Sequence, residues 1–248
     1  MTNSEQVSLI GAAFVDGLRS ILGDKLVAAY IYGAAAFPDT LPTGDVDFHV
    51  ILQSELTERE RATLEELHGV LARQFPPLGG EMDGYYILLA DARREAPPRS
   101  QMWKRATDNA WALHREHIRA GRYIRLHGPD PREICPTASW SEMEAALHSE
   151  LDYVERHLQD YHDYCILNLC RLIYSFETQD VVVSKATAAD WAHKHLPQWQ
   201  PHIELAKKSY ARQATAQERE FMLAEVKRFF EFACARIEEA SHRRQRAR

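Results

Sequence analysis

What the chain lacks narrows its chemistry first. Its 248 residues hold only four cysteines, Cys135, Cys165, Cys170 and Cys234. None stands in a CxxC pair or at zinc-ligand spacing, which excludes a disulfide framework or a zinc ribbon and leaves buried, reduced thiols as the expectation. No apolar run reaches the roughly 18 residues of a membrane span. The opening MTNSEQVSLIGAAF has no basic segment leading into a long apolar core, so no secretory signal is expected and the cytoplasm is the expected location. Positive charge is not in excess either. Thirty lysines and arginines against 36 acids give a net charge of −6, whereas a general nucleic-acid binder is usually basic. The run SHRRQRAR at 241–248 reads as a frayed end rather than a nucleic-acid patch. No Walker loop, GxGxxG, GxSxG or HExxH occurs, and the twelve histidines are scattered. The expectation is a monomer that takes neither nucleic acid nor membrane as a partner.

What is present is an ordinary globular balance, 45% hydrophobic and 27% charged, in a length that suits one large domain or two small ones. Val7, Ile10, Phe14, Leu18 and Leu22 fall at helical spacing, and Gly23 with Asp24 can end that helix. Apolar runs at 26–32 and 46–52 read as strands, separated by a loop over 37–44 that carries two prolines and a glycine. Thr57 opens a helix with Glu60 three residues on, a capping box, and the helix should end near Phe75. DGYYILL at 83–89 reads as a third strand, 103–118 as a helix and 122–126 as a fourth strand. Beyond about residue 137 strand signals almost vanish, and helical patterns run over 141–160, 161–178, 187–195, 202–211 and 216–240. The predicted architecture is α+β: a mixed-sheet first domain over 1–135 and an all-helical domain over 136–248, with Pro131 and Pro136 marking the boundary.

The stretch YGAAAFPDTLPTGDVDFHVIL at 32–52 carries the chemistry. Strand side chains alternate between faces, so Asp45, Asp47 and His49 point one way while Val46, Phe48 and Val50 point to the core. Two carboxylates roughly 7 Å apart on one sheet face are hard oxygen donors suited to Mg²⁺ and to the phosphates it carries. The third strand offers Glu81 and Asp83. If it pairs with the second, one of these closes a three-carboxylate cluster, and Asp83, at the strand mouth, is the preferred one. A metal there would stabilise charge on an attacked phosphorus, and the third acid could take the proton of an attacking hydroxyl. Gly33 ends the first strand. A glycine there permits a sharp turn and a close approach of backbone N–H groups to phosphate.

The order of an apolar strand, Y-G-A, a loop and G-D-V-D-F resembles the nucleotidyltransferase superfamily, whose pattern is G-S followed by D-x-D. Within it, LCRLIYS at 169–175 and KATAADWA at 185–192 resemble the aminoglycoside (3″)/(9) adenylyltransferases of the streptomycin and spectinomycin type, over about residues 8 to 240. The resemblance implies AMP transfer from ATP to a hydroxyl of a small cationic, aminoglycoside-like acceptor. It implies Mg²⁺ on Asp45 and Asp47, with Asp83 as base where the family usually has glutamate and Glu81 as the other choice. It places Lys185 on the triphosphate, with Gly33, Ala34 and Gly44 as the backbone around the nucleotide. Ala34 stands where the family has serine, which removes one hydroxyl donor to phosphate, and Gly44 stands where the subgroup often has serine. Arg171 and Tyr174 would organise their helix. A cationic acceptor would be met by acids and aromatic surfaces, with Glu81, Asp152, Glu155, Asp160, Asp163, Trp103, Trp111 and Tyr164 as candidates. Two alternatives stay open: the same chemistry on another small-molecule or protein hydroxyl, and a degenerate nucleotide-binding relative without catalysis.

Overall fold

A computed structural model describes residues 3–38, 44–103 and 105–247. The described residues up to Ser139 form one compact unit and those from Trp140 a second. The architecture is α+β, a mixed sheet in the first unit and helices alone in the second.

The first unit opens with α1 (Asn3–Leu22), whose Val7, Ile10, Phe14, Leu18 and Leu22 are buried at the spacing of one helical face. A short 3₁₀ turn leads into β1 (Leu26–Ile31). Most of the loop expected over 37–44 lies outside the described residues, and β2 (Val46–Leu52) follows. Helix α2 (Glu58–Gln74) starts on the expected capping box: Thr57 Oγ1 accepts from Glu60 N–H while the Glu60 carboxylate accepts from Thr57 N–H at 2.6 Å. β3 (Met82–Leu88) runs directly into the one-turn α3 (Leu89–Ala92). α4 (Trp111–Arg119) and β4 (Ile124–His127) complete the unit.

The strand order is β3-β2-β1-β4, with β2–β3 parallel and the other two pairs antiparallel. Both faces of the sheet are covered. Phe48 and Val50 pack with Phe14, Leu18, Leu64 and Leu71 from α1 and α2. Tyr30, Ile51 and Ile87 pack with Trp111 and Ile118 of α4. Each fully buried side chain of this size contributes about 1.5–3 kcal/mol, so two apolar layers fix the sheet between its helices.

The helix expected over 103–118 begins only at Trp111. Upstream, Trp103 has φ +57, Thr107 bridges to Arg99, and Asp108 accepts from Ala110 N–H at 3.0 Å, so the backbone is engaged in turns where the periodicity suggested helix.

The second unit holds α5 (Trp140–Arg156), α6 (His162–Thr178), α7 (Lys185–His195), α8 (Gln200–Tyr210) and α9 (Ala216–Ala247). Helix α6 lies at its centre, with 165–170 continuously buried and α5, α7, α8 and α9 against it. The basic end expected to fray is helical as far as Ala247. Arg244 lies 4.7 Å over the Trp140 ring and donates to Glu144 at 3.1 Å, which seats that turn. Three of the four cysteines are buried and all are unbridged, as expected. Among the described residues no helix is long and apolar enough to cross a membrane.

Candidate active site

The site is built on the turn after β1. Gly33 has φ +67, in the region that disfavours side chains, and it opens a 3₁₀ turn over Gly33–Ala36. Tyr32 N–H donates to the Asp47 carbonyl at 3.0 Å, which ties the turn to β2. A Cβ placed on Gly33 would stand 1.9 Å from Asp47 Oδ2. The glycine is therefore required twice, for its backbone angle and for the space that the Asp47 carboxylate occupies. Ala34 follows in the same turn, half-buried.

Parallel pairing of β2 with β3 sets Asp47 directly opposite Asp83. Paired strands lie roughly 4.8 Å apart, so the two side chains are neighbours on one face, with Asp45 just before β2. Asp45 and Asp83 are exposed and Asp47 half-buried. Glu81 sits outside the ladder. Its φ and ψ of −105° and 29° break the extended alternation, while its carbonyl accepts from Val46 N–H at 2.9 Å. The strand thus aligns Asp83, rather than Glu81, with Asp47. The donor set is all carboxylate, with backbone clearance at Gly33, and it fits a hard divalent cation such as Mg²⁺.

The Asp83 carboxylate makes an ion pair with Arg105, whose guanidinium lies 5.4 Å from the Tyr85 ring centre and 5.3 Å from that of Trp103. Two aromatic faces and a carboxylate hold this arginine in place. Sequence reasoning gave Arg105 no role, because nothing local to it marks the partner across the sheet.

Two residues further along β2 the same face becomes fully buried. His49 is 0% exposed, and it faces Asp108, 4% exposed, and His114 at the first turns of α4. Burial, and then the neighbouring His114, hold the His49 imidazole well below its usual range. Burial would raise Asp108, but His114 beside it brings its carboxyl below the ordinary value. The Tyr32 ring packs at a tilt against both imidazoles, its centre 4.2 Å from that of His49 and 4.6 Å from that of His114. Its phenol is pushed well up by burial and by the charges of Asp47 and Asp108. Strand alternation put His49 on the acid face; Asp108 and His114 carried no signal, since they arrive there only by the return of α4 over the sheet.

Trp111, expected as a sugar-stacking surface, is 0% exposed, and its indole N–H donates to the Arg94 carbonyl at 3.1 Å. It is a core residue and offers no face to a sugar. Trp103 remains exposed.

In the helical unit Lys185 is the first residue of α7, after the cap Ser184, whose Oγ accepts from Thr187 N–H at 3.0 Å. Its Nζ lies 4.3 Å from the Tyr164 ring centre and 5.4 Å from that of Tyr210. Asp163 accepts from Tyr164 N–H and from the Ser209 hydroxyl, both at 2.7 Å, and so ties α6 to α8. Asp152, Glu155 and Asp160 are exposed. Arg171 reaches Glu150 at 3.7 Å, and the Tyr174 hydroxyl donates to Asp180 at 3.1 Å.

Comparison with known proteins agrees with the resemblance read from the motifs. Residues 134–236 match the family model described as "Aminoglycoside adenylyltransferase, C-terminal domain". The spectinomycin 9-adenylyltransferase of Enterococcus faecalis is 21% identical over 214 residues, covering 78% of this chain and 83% of that protein. The enzyme of the same name from Campylobacter jejuni is 22% identical over 223 residues, covering 77% of this chain and 81% of its own. The fold matches a crystal structure of an Enterococcus spectinomycin adenyltransferase with ATP and spectinomycin, at a TM-score of 0.74 and 18% identity, over 94% of this chain and 98% of that one.

Proposed function

We propose that this chain, whose helical half matches the aminoglycoside adenylyltransferase C-terminal family, is an adenylyltransferase that moves AMP from ATP to a hydroxyl of a spectinomycin- or streptomycin-like acceptor. The observation that carries the reading is the in-register pairing of Asp47 with Asp83 beside the Gly33 turn. It supplies converging carboxylates and close backbone where a nucleotide's phosphates would lie.

Asp45 and Asp47 would hold Mg²⁺. When bound, the ion neutralises the triphosphate and stabilises charge as phosphorus is attacked. Asp83 accepts the proton of the acceptor hydroxyl. The hydroxyl oxygen bonds to the α-phosphorus, the α–β phosphoanhydride bond breaks, and pyrophosphate leaves. Arg105 is paired with the Asp83 carboxylate and must yield its place to the hydroxyl for this step. Backbone N–H groups of the Gly33–Ala36 turn would meet phosphate oxygens without the serine hydroxyl. Asp163, already accepting two hydrogen bonds, serves the packing of α6 on α8.

The test is transfer of labelled AMP from ATP to spectinomycin, streptomycin and a wider panel of hydroxyl compounds, with pyrophosphate release followed in parallel. Label is expected on an aminocyclitol or aminoglycoside acceptor. Asp47→Asn should lower turnover by about 10³-fold or more with circular dichroism and melting temperature unchanged. Comparable turnover by that variant, or ATP binding with no pyrophosphate release across the panel, would overturn the reading.

A further inference from the structure

We propose a second cation site in the sheet unit, separate from the carboxylates of β2 and β3: His49, Asp108 and His114 bind one zinc-class transition-metal ion. One ligand atom from each residue lies within 4.8 Å of the other two. Three atoms so arranged share a centre within about 2.8 Å of each, against roughly 2.0–2.2 Å for zinc–nitrogen and zinc–oxygen bonds. Small side-chain adjustments bring the set to bonding distance.

The polar bookkeeping of the core points the same way. His49 Nε2 and Asp108 Oδ2 are buried, and neither finds a hydrogen-bond partner among the described residues. His114 Nδ1 lies 3.1 Å from Asp108 Oδ2. Buried polar atoms are rarely left this way, because each costs its full desolvation. The opposite atoms of the same residues are held. Tyr30 Oη meets His49 Nδ1 at 3.3 Å and in turn approaches Cys135 Sγ at 3.8 Å. Ala110 N–H donates to Asp108 Oδ1 at 3.0 Å. Outer partners of this kind fix a ligand's ring orientation and leave its other atom for the metal.

Two imidazoles and one carboxylate suit zinc, cobalt or nickel and not magnesium, which takes oxygen and keeps its waters. The His114 side chain is 17% exposed and gives the ion a way in. Its role is a clip. The three ligands come from β2, from the irregular segment before α4 and from α4 itself, so one ion fastens to the sheet the segment that carries Arg105.

Metal binding is read directly and does not depend on adenylylation. Protein stripped with a chelator is titrated with Zn²⁺ by calorimetry in millimolar Mg²⁺, which saturates the carboxylates, and Co²⁺ is added separately to read its visible d–d bands. One tight equivalent of Zn²⁺, Co²⁺ bands of low coordination number and a melting temperature raised by several degrees are expected. His114→Ala, at a partly exposed position, should fold and lose all three, and His49→Gln should lose the tight equivalent. Asp47→Asn should keep them. Absence of tight Zn²⁺ binding in Mg²⁺, undiminished binding by His114→Ala, or loss of it in Asp47→Asn alone overturns the site.

Discussion

A single absent methyl group decides the position of Asp47. Gly33 combines φ +67 with a carboxylate oxygen where its Cβ would stand. Gly33→Ala is expected to cost about 1–3 kcal/mol in urea unfolding and, by displacing Asp47, to cut AMP transfer on the order of 10²-fold or more. Full activity in that variant would separate the carboxylate's position from the chemistry. Arg105 sets a second balance, since its ion pair puts a positive charge on Asp83, across the β2–β3 ladder from the proposed Mg²⁺ ligand Asp47. In Arg105→Gln the Asp83 carboxylate loses this ion-pair partner. The Mg²⁺ concentration for half-maximal turnover should fall several-fold, and an unchanged Mg²⁺ dependence would show that the pair is irrelevant to the site. Asp45, Asp47 and Asp83 were legible as residues because charge on an otherwise apolar strand needs a reason. Arg105, Asp108 and His114 were not, because each acquires its meaning from a partner distant in the chain.

At the scale of elements, register matters more than composition. β3 pairs with β2 in parallel, residue for residue, and a slip by one would turn Asp83 away from Asp47. Helix α2 is equally defined by its place on the sheet. His68, on that helix, meets Tyr86 Oη at 2.9 Å and packs against Phe14, Phe48 and Trp103. Burial, and then the charge of Arg105, lower it from 6.5 to about 4. The unfolded chain therefore binds a proton between these values that the folded chain does not. Stability is full above pH 6.5, falls as pH drops through this window and levels off below about 4, by on the order of 3 kcal/mol from this group. Urea unfolding at pH 7 and 4.5 should show this loss, and His68→Gln should flatten it. An equal pH slope in both proteins would assign the loss to other groups. The capping box at Thr57 and Glu60 was readable at sight because it is local. The late start of α4 was not, because it depends on Thr107 bridging to Arg99 and on Asp108 taking up the Ala110 N–H.

At the scale of the molecule, the described residues form two compact units, each with its own apolar core. We propose that the helical unit folds by itself. A fragment over 136–248 should give a helical circular-dichroism spectrum and a cooperative melt; a fragment that melts without cooperativity would make its core depend on the rest of the chain.

The sequence by itself determined the α+β order, the strands and helices with strong periodicity, and the acids Asp45 and Asp47 at the start of β2, since these rest on contacts a few residues long. Tertiary structure alone decided that Asp83 and not Glu81 stands across from Asp47, that Trp111 is core, and that His49 meets Asp108 and His114. Strand register and the return of α4 over the sheet are long-range packing outcomes, and no local spacing encodes which distant side chains they bring together.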